Sequence, residues 1–195
     1  MKRTGFFLAL ITVLIVQCKD KNGDNDTNDA SAPFPVLSYL QSQVKHVDTS
    51  LYSIVKISKA HGRLDTAYLR REDFEAAAHD FLSLPDISSK KLRKKYSETK
   101  LYDEDLKKVV ITYAPKDKED FDEITRQDVI IDPGEGANDQ VQTIYIETVL
   151  NKGDSTVQKR MTWNVDKDFQ VIRITNKNNS PEDIQTTDVS WLDHR

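Results

Sequence analysis

The chain has 195 residues, 28 Lys and Arg against 32 Asp and Glu, a formal net charge of −4 and one cysteine. A moderately acidic surface does not favour nucleic acid, so no nucleic-acid partner is expected, and a lone cysteine excludes an intrachain disulfide. The length fits one domain with a core of its own.

The N-terminus carries the strongest pattern. Lys2 and Arg3 precede an uncharged apolar block, Phe6 to Val16, and polarity returns at Lys19-Asp20, the three-part layout of a secretory signal. A membrane-spanning helix needs about twenty apolar residues, and this block is shorter and is followed at once by charge.

Leu14-Ile15-Val16-Gln17-Cys18 resembles the lipobox of bacterial lipoproteins, departing from it at Gln17, where that pattern has a small residue. The resemblance implies a signal peptide over residues 1–17, a diacylglyceryl group on the Cys18 thiol, cleavage just before it, and a palmitate-type membrane anchor in the cell envelope, at the outer membrane. Cys18-Lys19-Asp20 also looks like the Lys-plus-acid signals that send some lipoproteins to the outer face, leaving the periplasmic and surface faces both open. Each buried methylene is worth about 0.8 kcal/mol, so several chains on one residue make a stable anchor where a single chain does not. Removal of Lys2 and Arg3 takes the formal charge from −4 to −6. An ordinary peptidase site of the A-x-A kind occurs only at Ala30-Ser31-Ala32, far from the apolar block and followed by Pro33.

Residues 18–32 read as the lipidated cysteine and a flexible tether, because Lys19 to Ala32 has no aromatic or branched apolar residue to bury. Asp24, Asp26 and Asn28 alternate like calcium-loop ligands, but the sixth and twelfth positions hold Asp29 and Pro35 where that loop needs Gly and Glu.

Residues 33–195 are expected to form a single domain, helical over about 33–100 and a β-meander over about 105–192. Leu37, Leu40, Val44 and Val47 recur at helical spacing against Ser38, Gln41 and Lys45. Leu51 to Ser58 reads as a strand turning at His61-Gly62, with Leu64 to Leu69 as a short return. Arg71 to Leu82 reads as a second helix with Phe74, Ala77, Ala78 and Phe81 on one face, ended at Leu84-Pro85. A third short helix is expected over Ile87 to Tyr96. Its Lys90, Lys91, Arg93, Lys94 and Lys95 could grip lipid phosphates, but the preferred reading is a solvated face with Leu92 and Tyr96 turned inward.

From Lys107 the period changes to two. Strands are expected at Val109 to Tyr113, Thr125 to Ile131, Val141 to Leu150, Thr156 to Val165 and Phe169 to Thr175. In the fourth, Val157, Met161, Trp163 and Val165 share one face, and Gln158, Arg160, Thr162 and Asn164 the other, the mark of a sheet with one wet side. The short links Asn151 to Asp154 and Asp166 to Asp168 make consecutive strands antiparallel neighbours. The glycines of Asp132-Pro133-Gly134-Glu135-Gly136 lead into a strand rather than a helix and are no phosphate cradle. Asn176 to Asp188 is expected as a loop and Val189 to Leu192 as a last strand or plug, with Trp191 a buried closure. The fold class is therefore α+β, with N-terminal helices packed on an antiparallel β-meander of about five strands.

No catalytic constellation emerges. Cys18 lies at the membrane end, and His46, His61, His79 and His194 are scattered. Glu75 and His79 sit one turn apart without the H-E-x-x-H pattern, and G-x-S-x-G is absent. Cys18, as the lipidation site, is the only site residue assigned; no catalytic residue, metal or cofactor is. The expected function is a non-catalytic cell-envelope lipoprotein, anchored in the membrane by its N-terminal lipid, whose domain binds or scaffolds another envelope protein or glycan. The alternatives are a small apolar-ligand carrier with its cavity between sheet and helix and an envelope hydrolase whose site leaves no local motif.

Overall fold

The computed structural model describes residues 32–117, 124–134, 139–178 and 180–192. Its framework is one nine-stranded sheet, antiparallel throughout, with helices on one face. The strands are β1 (Ser53–Ala60), β2 (Arg63–Leu69), β3 (Tyr96–Asp103), β4 (Lys108–Pro115), β5 (Ile124–Asp132), β6 (Gln140–Lys152), β7 (Ser155–Asn164), β8 (Asp168–Lys177) and β9 (Asp183–Leu192). They lie in the order β2-β1-β9-β8-β7-β6-β5-β4-β3. The chain makes the β1–β2 hairpin at one edge, crosses to β3 at the other, and steps back strand by strand until β9 closes against β1. Helices on an antiparallel sheet are as expected, but the sheet has nine strands rather than about five and the helical part is minor.

Helix α1 (Val36–Asp48) buries Val36, Leu40, Val44 and Val47. Val36, four residues before Leu40, replaces Leu37, three before it, in the expected stripe. At its end the Thr49 hydroxyl donates to the Lys45 carbonyl at 3.0 Å and that of Ser50 to Val47 at 2.7 Å, closing carbonyls that the helix leaves open. The β1–β2 turn is His61-Gly62, with φ of 50° and 74°, the left-handed pair that a two-residue hairpin demands.

The expected second helix is broken. Arg71–Asp73 is a 3₁₀ turn, followed by α2 (Phe74–Ala77) and α3 (His79–Leu82) with Ala78 between them at φ −84° and ψ 2°. Pieces of four residues have no stability of their own. They are held by Phe74, Ala78 and Phe81, all buried in the core, and by Asp80, whose Oδ1 accepts from Lys159 Nζ at 2.7 Å while Arg173 lies 3.4 Å from Oδ2.

The expected third helix is absent. Residues 87–95 form consecutive turns: Asp86 Oδ1 accepts from both the backbone and the hydroxyl of Ser88, at 2.9 and 2.7 Å, and Arg93 and Lys95 close on Ser89 and Leu92. A helix would stack the five cations three and four residues apart, where like charges repel, and Asp and Ser offer the backbone turn bonds instead. Ile87, Leu92 and Tyr96 are buried while Lys90, Lys91, Arg93 and Lys94 are exposed.

Two strand assignments also change. Tyr96 opens β3, unforeseen in the sequence, and β9 begins at Asp183 inside the expected loop. Trp191 is buried at the end of β9, opposite Ile54 of β1.

The core lies between the helices and one sheet face. Phe74, Phe81, Trp163, Phe169 and Trp191 form a ring cluster with neighbouring centroids 5.1–6.2 Å apart, edge to face or tilted except for Trp163 and Phe169, which stack at 17°. Cross-strand register supplies it, since Trp163 faces Phe169 and Ile144 while Met161 faces Val171 and Ile146. The indole N–H groups of Trp163 and Trp191 and the side-chain nitrogen of Gln127 are buried without a hydrogen-bond partner.

Candidate functional site

The two faces of the sheet differ because side chains alternate along each strand. The face opposite the helices is covered by no described element, and its centre is a belt of paired polar side chains running from β5 to β9.

The belt begins at Arg126 and Asp128, two residues apart on β5 and therefore on one face. The Arg126 Nε lies 3.0 and 2.9 Å from the two carboxylate oxygens of Asp128, and its terminal nitrogen 2.9 Å from Oδ2. The Asp128 side chain is 9% exposed and that of Arg126 52%, so the carboxylate is sunk under its cation. Across the ladder Arg126 faces Glu147 and Asp128 faces Tyr145; Glu147 faces Arg160 in turn. The Glu147 Oε1 accepts a hydrogen bond from Gln158 and lies 3.7 Å from Arg160 Nε. The Tyr145 phenol is pushed up by burial and then by the Glu147 charge, which outweigh Arg160 and Arg126. It is therefore a neutral O–H donor at physiological pH.

Beyond Arg160 the pattern continues with amides. Asn164 Nδ2 donates to Asp168 Oδ1 at 2.7 Å, and its own Oδ1 accepts from Thr143 at 3.0 Å. Gln170 Nε2 donates to Asp188 Oδ1 at 2.6 Å. Thr162, Asn164, Asp168, Gln170, Asp188 and Ser190 line an open hollow of about 320 Å³ over β7, β8 and β9.

Each carboxylate of the belt is engaged by a cation or amide, so none stands as a free base beside a nucleophile. What the face offers is a row of oriented donors and acceptors. Such a surface can hydrogen-bond hydroxyl-rich or amide-rich chains with little reorganisation.

On the other face, Asp80 is pushed up by burial, but its hydrogen bond and ion pair to Lys159, with the charge of Arg173, outweigh that and hold it below the ordinary carboxylate range. This triad pins the helices to the sheet. Tyr113 plays a similar part: its hydroxyl accepts from the Phe34 backbone N–H at 2.9 Å, tying the start of the domain to β4.

The residues singled out in the sequence are not brought together. Cys18, the signal and tether, Asp24, Asp26 and Asn28, the end of the Gly134–Gly136 loop and His194 lie outside the described residues. His46 packs edge-on against Tyr52, with Nε2 3.4 Å from its hydroxyl, and His61 sits in a turn 3.5 Å from Asp183. Glu75 and His79 line one shallow surface hollow with Gln41 and Glu72. Among the described residues no cluster of three or more His, Cys, Asp or Glu could hold a metal ion, and no helix is long and apolar enough to cross a membrane.

The belt was half visible in advance: the alternation of Gln158, Arg160, Thr162 and Asn164 marks the wet face of β7. Its partners Arg126, Asp128, Tyr145 and Glu147 are set by register, which no local motif encodes. Compared with protein-family models, curated proteins and solved structures, the chain finds no match.

Proposed function

We propose that the chain is a non-catalytic cell-envelope lipoprotein, anchored through acyl chains on Cys18, whose domain binds another envelope component, a glycan or glycan-bearing partner, on the open sheet face. The observation that carries this reading is the belt from Arg126 to Asp188, polar, pre-paired and left open by every described element. Planar amides and carboxylates on a rigid sheet suit a polyhydroxyl ligand, because their directions are fixed before the ligand arrives. The ring cluster favours this over carriage of an apolar ligand: it fills the space between helices and sheet, where the void lined by Leu40, Phe81, Ile87, Gln127 and Ile146 measures about 10 Å³, no more than one water.

Two measurements test the two halves of the proposal. Palmitate labelling of the wild-type chain, lost in Cys18→Ala, is expected for the anchor; an unlabelled wild type would remove it. Titration with soluble cell-wall glycan fragments should give binding that weakens about tenfold or more in Glu147→Gln and Asp188→Asn, each of which removes a charged acceptor. Binding indifferent to both substitutions would move the site off this face.

A further inference from the structure

The sheet has two edge strands, β3 and β2, and each turns two charges toward the helix side: Glu98 and Lys100 on β3, Arg63 and Asp65 on β2. Inward charges blunt an edge against unselective pairing. The β2 edge has no proline, no lysine and no bulge, and pairs with β1 over seven consecutive residues without a register shift. It also exposes Leu64 at 70% and Tyr68 at 80%, with Ile57 of β1 alongside at 38%.

Register fixes which backbone groups this edge presents. The two-residue turn makes Ala60 and Arg63 a hydrogen-bonded pair, so Ser58 with Asp65, Lys56 with Ala67 and Ile54 with Leu69 are hydrogen-bonded pairs as well. Leu64, Thr66 and Tyr68 therefore turn their N–H and C=O groups away from β1. These three also share the open face, and the two apolar ones stand symmetrically about Thr66.

We propose that β2 is a self-complementary edge through which two copies of the chain join their sheets, antiparallel about a two-fold axis at Thr66. In that register Thr66 meets Thr66 and Leu64 meets Tyr68 twice. All three outward positions form hydrogen-bonded pairs, and both exposed apolar side chains gain a cross-strand partner. Shifting the register by two residues in either direction places Thr66 against Leu64 or against Tyr68 and leaves an apolar side chain unmatched. The occupant is thus a second copy rather than an arbitrary strand, because the spacing of Leu64 and Tyr68 about Thr66 is matched by its own reverse. The isologous pairing closes on itself and consumes both β2 edges.

The test is the mass of the full-length chain in mild detergent, by sedimentation, over a range of protein concentration. Wild type should sediment as a dimer. Thr66→Pro, which removes an outward N–H and no bond to β1, and Tyr68→Lys should each raise the dissociation constant by at least about tenfold with an unchanged far-ultraviolet circular dichroism spectrum. In a Cys18→Ser background, Thr66→Cys should give a disulfide-linked dimer on mild oxidation, since the Cα separation of a hydrogen-bonded antiparallel pair, about 5.5 Å, is within disulfide range. A monomeric wild type would overturn the proposal. So would a dimer indifferent to both edge substitutions, or species that lengthen with concentration, which would mean β2 pairing with β3 of the next copy.

Discussion

Asp80 shows how a single side chain can fasten a layer. Its carboxylate, held by Lys159 at 2.7 Å and lying 3.4 Å from Arg173, is what connects α3 to β7 and β8 by charge. Because its pKa is depressed below the ordinary 3.8, its contribution is fully present above the unfolded value and is lost as pH falls through the folded one. Asp80→Asn should cost about 1–2 kcal/mol at neutral pH, discounted for the half-exposed Arg173. The wild type should lose stability more steeply than the variant below about pH 4, as read from urea midpoints at pH 7 and pH 3. Equal pH dependence in the two proteins would show that the carboxylate contributes nothing by its charge. Tyr113 is the alkaline counterpart. Burial pushes its phenol up to about 12, against the Phe34 bond that lowers it, so its contribution is intact below the unfolded value and fades as pH rises through the folded one.

At the scale of elements, the turns carry more of the specification than the helices do. Gly62, at φ 74°, has open space where a Cβ would stand, so Gly62→Ala meets only the left-handed backbone penalty. The expected loss is about 1 kcal/mol in thermal or urea unfolding, and a neutral result would mean the hairpin turn relaxes at no cost. The hairpin was legible because His61-Gly62 sits between two alternating runs, and α1 because its apolar spacing is unbroken. The segment Arg71–Leu82 was legible only as a face. Phe74, Ala78 and Phe81 are inside as their spacing requires, yet the backbone breaks at Ala78, where contacts with the sheet prevail over local helical preference. Residues 87–95 misled because Leu92 and Tyr96 are four apart, a helical spacing that consecutive turns reproduce. β3 was invisible because nearly all of it is exposed at an edge, so burial never imposes alternation on its sequence. The start of β9 was missed for the related reason that Asp183 to Asp188 has a single apolar residue, the exposed Ile184, and so no alternation, and only its neighbours make it a strand. The open-face belt asks more still, since it is a property of pairs contributed by five strands.

The whole molecule is closed by a long return. β1 is complete before residue 61, but its second neighbour, β9, places Leu192 opposite Ser53. Contacts so distant in sequence must be made against the loop entropy of nearly the entire domain, so folding in milliseconds to seconds is expected, with the β1–β9 seam formed late. Trp191→Phe, which loosens that seam conservatively, should mainly speed unfolding and leave the folding rate almost unchanged in stopped-flow chevrons. A slowed folding limb would place the seam in the nucleus instead. Trp163 and Trp191 are the two tryptophans of the chain and stand 5.3 Å apart in the ring cluster. Both indoles are almost wholly buried among other rings, so bulk solvent does not relax around their excited states. Native emission is then blue-shifted, and admission of water to the core, whether by swelling, by lifting of α2 and α3 or by parting of β9 from β1, turns it red. The core thus carries its own optical gauge of hydration, needing no label.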